Sequence, residues 1–423
     1  MGIRTVISRM TKAPDSQPDP DPDPDPDPDP GLGQRPGGLA GVHPVARTHG
    51  SRAGAVDGTH QLSSGSARGT PLSSPTDQQT APPTVTVPPK IIAKALASFP
   101  LYFVIMFSLC YVSAFHAPQP NDLRLVLAGP AATTEPIAQA LDTASPGAFD
   151  ITTVVDAGEA RAQVETRQAA GAVIIGRDVT VLVAGGGGAS LKAAVIEAGS
   201  AIATQAKLSM ATDDVSPLPR TDTTGTGIFY LMIICSMAGY LTSTILTQAA
   251  AHLRLRTKYT IIAGASVIGP VIAFAIASYF LGTYGLGLGG MAQVLGVAAA
   301  YTFLCGTIGI LSQQLLGANA MMLVMALVVF LNFPSAGGAV PASMLPDFWQ
   351  FIHSFWFGSG TLETLRSIVY FEGHGAARWL LQLGIWVVLA AAFSAVLGRR
   401  SARAPRNPAV RQEPVVDSGV PVI

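Results

Sequence analysis

Few residue sets in this chain could do chemistry, and most of them fail on spacing. Glycines 185–188 run ahead of Lys192, and in a phosphate-binding loop such glycines would set backbone N–H groups and an ammonium around a phosphate. That loop needs G-x-x-x-x-G-K-[ST]. Here Ala189, Ser190 and Leu191 follow the glycines, so the run reads as a turn and helix entry. Gly358-Ser359-Gly360 has the outline of a nucleophile elbow without its G-x-S-x-G spacing. His353 and His374 stand 21 residues apart with no neighbouring ligand pair, His252 lies among basic residues, and no H-E-x-x-H is present. The histidines therefore read as interfacial side chains. The sequence implies no enzyme, no catalytic residue, no cofactor, no metal site and no nucleic-acid partner.

What remains is chemistry of binding and coupling. His252, Arg254, Arg256 and Lys258 form a short, basic, amphipathic segment, suited either to anionic lipid headgroups or to docking a cytoplasmic partner. Six of the ten residues 348–357 are aromatic, which is the ring type that settles at membrane interfaces. After glycines 358 and 360, residues 361–371 place Leu362, Leu365 and Val369 on one stripe and Glu363 with Arg366 at i,i+3. Residues 346–372 thus read as a re-entrant outer hairpin of two short helices, broken at Gly358-Ser359-Gly360. Gln313, Gln314 and Asn319 lie at the inner junction of two apolar runs, where they either line a path or cap helix ends.

The elements that position these groups follow from composition. The 423 residues are 49% hydrophobic and 12% charged, half the charge of an average soluble domain. From Tyr259 to Pro346 there is no Asp, Glu, Lys or Arg, which excludes a water-soluble fold for that stretch. Apolar runs at 95–115, 228–251, 261–280, 291–316, 320–333 and 379–397 predict six transmembrane helices, the run at 320–333 being short for a roughly 30 Å hydrocarbon core. Cys110, Cys235 and Cys305 all fall inside such runs and read as small lipid- or helix-facing residues rather than as a disulfide framework.

The expected class is a polytopic α-helical membrane protein with a small extracytoplasmic α/β domain inserted between the first and second helices. Residues 1–89 read as a disordered cytoplasmic tail in which six Asp-Pro pairs form a stiff acidic spacer. Residues 90–116 hold the first transmembrane helix. Residues 117–222 hold the α/β domain, with strands at 123–128, 151–155, 172–175 and 179–183 and helices at 135–144, 156–168 and 190–207. A Thr-Thr pair is read as the cap of the first of these helices and Asp156 as the cap of the second. Residues 223–398 form a five-helix membrane domain containing the outer hairpin, and 399–423 a basic cytoplasmic tail. The basic residues around 254–258 and in the last segment put that loop and both termini in the cytoplasm. Residues 117–222, with 7 basic and about 12 acidic groups, fall outside the cell membrane.

This architecture resembles the ABC-2-type permease family, in particular its phage-infection-protein-like branch, over roughly residues 90 to 400. The closest local match is Leu345-Pro346 through Arg366 and then Tyr370-Phe371-Glu372-Gly373. It is similar to the family's outer segment of a proline, a short helix, a glycine turn and an Arg followed by a Tyr-Phe-x-Gly ending. The resemblance implies a permease that works as a homodimer or heterodimer in membrane lipid and is driven by a separate cytoplasmic ATPase subunit. It also implies that the ATPase is contacted by the loop between the second and third helices, here His252, Arg254, Arg256 and Lys258.

The leading expectation is an exporter subunit that moves an apolar or amphipathic substrate outward. The alternative is a non-transporting envelope protein whose external domain binds a ligand or phage. A proton- or sodium-coupled carrier is disfavoured, because no ionisable residue lies in the middle of any apolar run and coupling needs groups that titrate within the membrane.

Overall fold

The computed structural model describes residues 89–403 except residue 339. The expected disordered tail with its Asp-Pro spacer, and all of the expected basic tail beyond residue 403, lie outside the described residues. Helix α1 (Pro89–Phe107) continues through a π-helical turn, Ser108–Val112, into a last turn at Ser113–Phe115.

A five-stranded sheet of order β2-β1-β3-β4-β5 follows. Strands β1 (Leu123–Ala128), β2 (Phe149–Val154) and β3 (Gly171–Ile175) are parallel. Strand β4 (Val179–Val183) returns antiparallel to β3, and β5 (Met210–Asp214) runs parallel to β4. Helix α2 (Ala131–Ala144) joins β1 to β2, α3 (Ala157–Glu165) joins β2 to β3, and α4 (Ala189–Ala206) leads into β5. Strand β1 is almost continuously apolar because both of its faces are covered. Leu123, Leu125 and Leu127 pack under α2 and α4, while Val126 and Ala128 pack under α3. Two residues from far along the chain complete these cores: Met344 on the first face and Phe371 on the second.

The remaining helices are α5 (Gly227–Gln248), α6 (Leu255–Leu281), α7 (Leu288–Leu316), α8 (Ala320–Met325), α9 (Asn332–Ala336), α10 (Asp347–His353), α11 (Phe357–Tyr370) and α12 (Ala376–Arg403). Among the described residues, five helices are long and apolar enough to cross a membrane: Ser98–Phe115, Gly227–Gln248, Leu255–Leu281, Leu288–Leu316 and Ala376–Arg399. The run Ala320–Ala336, with a π-helical turn at Ala326–Phe330, is apolar but shorter. Helix α7 is the most buried of the long five and forms the centre of the bundle. Gly239 of α5 lies so close to the Thr302 carbonyl of α7 that no side chain fits between them, the small-residue contact that lets membrane helices approach. The outward faces of α1, α6 and α12 carry exposed apolar side chains such as Val104, Ile268 and Val388, as surfaces bathed in lipid do. All three cysteines are free and buried.

The structure differs from the sequence reading at several points. Strand β5 is additional. Its sequence, MATDD, lacks an apolar alternation because it is an edge strand with most residues exposed. Helix α2 starts at Ala131 directly after Pro130, so Thr133 and Thr134 lie inside it rather than capping it. The break in the outer hairpin falls at 354–356, and Gly358-Ser359-Gly360 lies within α11. Gly358 packs against the carboxamide of Asn332, and a Cβ at Gly360 would lie 3.0 Å from the Trp379 carbonyl oxygen, so these glycines serve close helix packing rather than a turn. His353 is buried rather than interfacial.

Candidate functional site

The polar residues that the fold brings together lie where the α/β domain meets α10 and α11. Glu363 and Arg366 occupy successive turns of α11, and both are almost fully buried. Arg167 comes from the other side. It follows α3 in the left-handed region, φ 64°, which turns its side chain out of the helix direction and toward α11. Its guanidinium donates to the Glu363 carboxylate, to the Glu363 carbonyl at 3.1 Å and to Ser367 Oγ at 2.6 Å, and it stacks over the Phe371 ring at 5.0 Å. Arg366 pairs with the other Glu363 oxygen and donates to the Gly338 carbonyl at 2.9 Å. One carboxylate thus bridges two guanidinium groups from two parts of the fold.

Burial works to raise the Glu363 pKa, but Arg366 and then Arg167 outweigh it and hold the carboxyl at about 2. His353 completes the cluster. Its Nδ1 donates to the Ser335 carbonyl at 2.7 Å, and Ser359 Oγ donates to the same oxygen at 3.3 Å. Burial lowers the His353 pKa, and Arg366 and Arg167 push it the same way against Glu363. The ring therefore stays neutral at neutral pH.

A second polar knot lies beside the first. Asp222 caps α5 by accepting from Thr226 N at 3.0 Å and Gly227 N at 2.9 Å. It also accepts from Tyr284 Oη at 3.0 Å and Tyr370 Oη at 3.4 Å. Burial first, then Asp222 for Tyr370 and Tyr370 ahead of Asp222 for Tyr284, raises both phenol pKa values, so both remain donors. The Tyr370 carbonyl accepts from Ser216 Oγ at 2.7 Å. The C-terminal turn of α11 is thereby gripped by the domain through Arg167 and Ser216, and the helix bundle joins it through Asp222.

Of the residues singled out from sequence, Glu363 and Arg366 meet here and the others do not. His252, Arg254 and Arg256 are exposed and Lys258 half-buried at the opposite ends of α5 and α6, with Arg256 and Lys258 already inside the first turn of α6. Gln314 is exposed and Gln313 half-buried near the end of α7. Gln314 Oε1 accepts from Ser394 Oγ at 3.4 Å, and Ser394 Oγ in turn accepts from Tyr259 Oη, so Gln314 ties helix ends together. Asn319 precedes α8 without a side-chain capping bond.

Sequence reasoning missed Arg167, which falls inside the helix expected at 156–168 but follows α3, which ends at Glu165. Nothing local in the sequence marks its left-handed backbone or its distant partner. Among the described residues no three of His, Cys, Asp and Glu come together as a metal-ligating group.

The cluster has its polar side chains bonded to one another and to backbone carbonyls. Its chemical capacity is to hold the folded domain and the outer helix pair in one orientation. Compared with models of known protein families and with curated proteins, the chain matches none.

Proposed function

We propose that this chain is the membrane permease subunit of an ABC-2-type exporter that moves an apolar or amphipathic compound outward, driven by a separate cytoplasmic ATPase. The observation that carries this reading is the seam around Glu363. The folded domain does not hang from a linker: Met344 and Phe371 complete its core, and Arg167 is half-buried against α11. A body that is only a ligand trap needs no such attachment, whereas a domain that moves with the helices closing one end of an apolar bundle does.

In this scheme Ala320–Ala336 is a sixth, short span accommodated by local thinning of the bilayer. Residues 117–222 face outward from the cell membrane, both termini and the basic segment face the cytoplasm, and two permease subunits pair in the lipid. His252, Arg254, Arg256 and Lys258 are the ATPase contact. The exposure of His252, Arg254 and Arg256 at the end of the bundle opposite the seam supports that role.

The test is co-purification of an ATPase with the full chain and stimulation of its hydrolysis, repeated with Arg254→Glu, Arg256→Glu and Lys258→Glu combined. Association and export should both be lost in the variant. Export unchanged in it removes the docking role. Reporter tags near residues 160 and 256 should lie on opposite sides of the membrane, and finding them on the same side overturns the topology. A chain that captures an external ligand or phage yet binds no ATPase and exports nothing is instead the envelope-binding alternative.

A further inference from the structure

An apolar groove of about 500 Å³ opens on the flank of the bundle, walled by Met106, Leu109, Cys110 and Ser113 on one side and by Leu331, Phe348 and Trp349 on the other. Its volume lies within the range of small-molecule sites, about 300–1,000 Å³. The one polar side chain in the lining, Ser113, is already engaged: its Oγ accepts from Trp349 Nε1 at 3.1 Å and donates to the Cys110 carbonyl at 3.1 Å. The groove therefore offers hydrocarbon contact and nothing else along its length.

Two independent features mark it out. Of the two π-helical turns among the described residues, Ser108–Val112 supplies the lining residues Leu109 and Cys110 and Ala326–Phe330 ends next to the lining residue Leu331; the two meet where Tyr111 Oη donates to the Val329 carbonyl at 3.5 Å. Such turns are rare and collect at functional sites. Beside the groove, in the chain between the lining residues Pro346 and Phe348 and in the first turn of α10, stands the exposed Asp347. Its Oδ1 accepts from Asn121 Nδ2 at 2.7 Å, and Asn121 leads into β1, so this acid sits where the apolar bundle gives way to the folded domain. Among the described residues no Lys, Arg or His forms an ion pair with it. An apolar slot flanked at the polar boundary by an acid that carries no ion pair is complementary to an alkyl chain carrying a positive head.

We propose that this groove binds a single-chain amphiphile with a cationic head, its alkyl chain lying against Leu109, Cys110 and Trp349 and its head at Asp347. The inference needs the bundle to lie in a membrane but not an ATPase or export, so it stands or falls separately from the exporter reading.

The experiment uses the full chain in phosphatidylcholine nanodiscs and follows quenching of tryptophan fluorescence by bromododecyltrimethylammonium and by bromododecyl sulfate. Contact quenching of Trp349 should saturate with the ammonium compound, and the saturable part should be absent in Trp349→Phe. The sulfate compound should need about fivefold more to reach half-saturation, the discrimination expected of a largely solvated charge pair. Asp347→Asn should bring the two compounds together while leaving saturation in place. Quenching that only rises linearly with the amphiphile content of the bilayer overturns the site, and so does a saturable part that survives in Trp349→Phe. A second copy of the chain or a permanently held lipid in the groove leaves Trp349 unquenched, and that result likewise overturns the site. A preference for the sulfate compound, or a fivefold preference that persists in Asp347→Asn, overturns the role of the acid.

Discussion

Replacing Glu363 by Gln should loosen the seam far more than removing Arg167, although both changes delete one member of the same ion cluster. The Glu363 side chain is 5% exposed and its carboxyl is held at about 2 against an ordinary 4.5. That difference corresponds to about 3 kcal/mol of net preference for the charged form, at about 1.4 kcal/mol per pKa unit. Glu363→Gln removes the single negative charge and leaves the guanidinium groups of Arg366 and Arg167, 3% and 18% exposed, facing each other unpaired. Breaking a buried pair in this way costs about 3–5 kcal/mol. Arg167→Met instead leaves Glu363 and Arg366 as a balanced pair and forfeits charge-assisted hydrogen bonds worth about 1.5–3 kcal/mol. The readout is hydrogen–deuterium exchange of the amides at 361–371 in nanodiscs, where opening governs the rate. At about 1.4 kcal/mol per factor of ten, Glu363→Gln should speed exchange by roughly two to three and a half orders of magnitude and Arg167→Met by one to two. Equal effects, a larger effect from Arg167→Met, or less than about threefold from either would mean that the cluster is solvated and does not hold the domain to α11.

The same cluster sets a pH profile. His353 is lowered from 6.5 and neutral when folded, so its contribution is full above about pH 6.5 and is lost as pH falls through its depressed value; that of Glu363 is full above about 4.5 and disappears toward 2. Tryptophan fluorescence of the full chain should therefore hold steady near neutrality and change in two stages on acidification, with only the upper stage missing in His353→Gln. Gly358→Ala drives a methyl group into the Asn332 carboxamide, an overpacking cost of about 1–3 kcal/mol. Its thermal midpoint in detergent should fall, and Asn332→Ala in the same chain should restore part of the loss. Asp222→Ala strips the cap from α5 and leaves two phenols without their acceptor. It should lower stability by about 1–3 kcal/mol, with Asp222→Asn closer to the parent in the same thermal assay.

What the sequence made legible was whatever depends on local pattern. Uninterrupted apolar runs marked five long helices and one short one. The strands β1, β3 and β4, apolar on both faces, stood out at once, and Asp156 did cap α3, with its carboxylate accepting from Glu159 N at 3.1 Å. The invisible parts depend on contacts across long stretches of chain. Strand β5 pairs through its backbone at an exposed edge, so its side chains need no apolar signature. Arg167 meets Glu363 across 196 residues, and no periodicity in either segment announces the other. Gly358-Ser359-Gly360 looked like a hinge because glycine is locally a helix breaker. Tertiary packing decides otherwise, since Asn332 and Trp379 need room that only glycine leaves.

The placement of charge argues for a single working body. In the stretch from Tyr259 to Pro346 the chain admits no ionised side chain, and then within 20 residues it buries both Glu363 and Arg366. A buried ion cluster is poor evidence of stability, because desolvation offsets most of the attraction. An apolar seam built only of Met344, Tyr370 and Phe371 could hold the domain about as tightly. Such a seam would also let the domain slide, because apolar contact has no direction. The guanidinium of Arg167 is planar and directional. With its bonds to the carboxylate and carbonyl of Glu363 and to Ser367 Oγ, it accepts one rotation and one register of the domain on α11. The cluster is better explained by orientation than by adhesion: it fixes how the folded domain sits on α11.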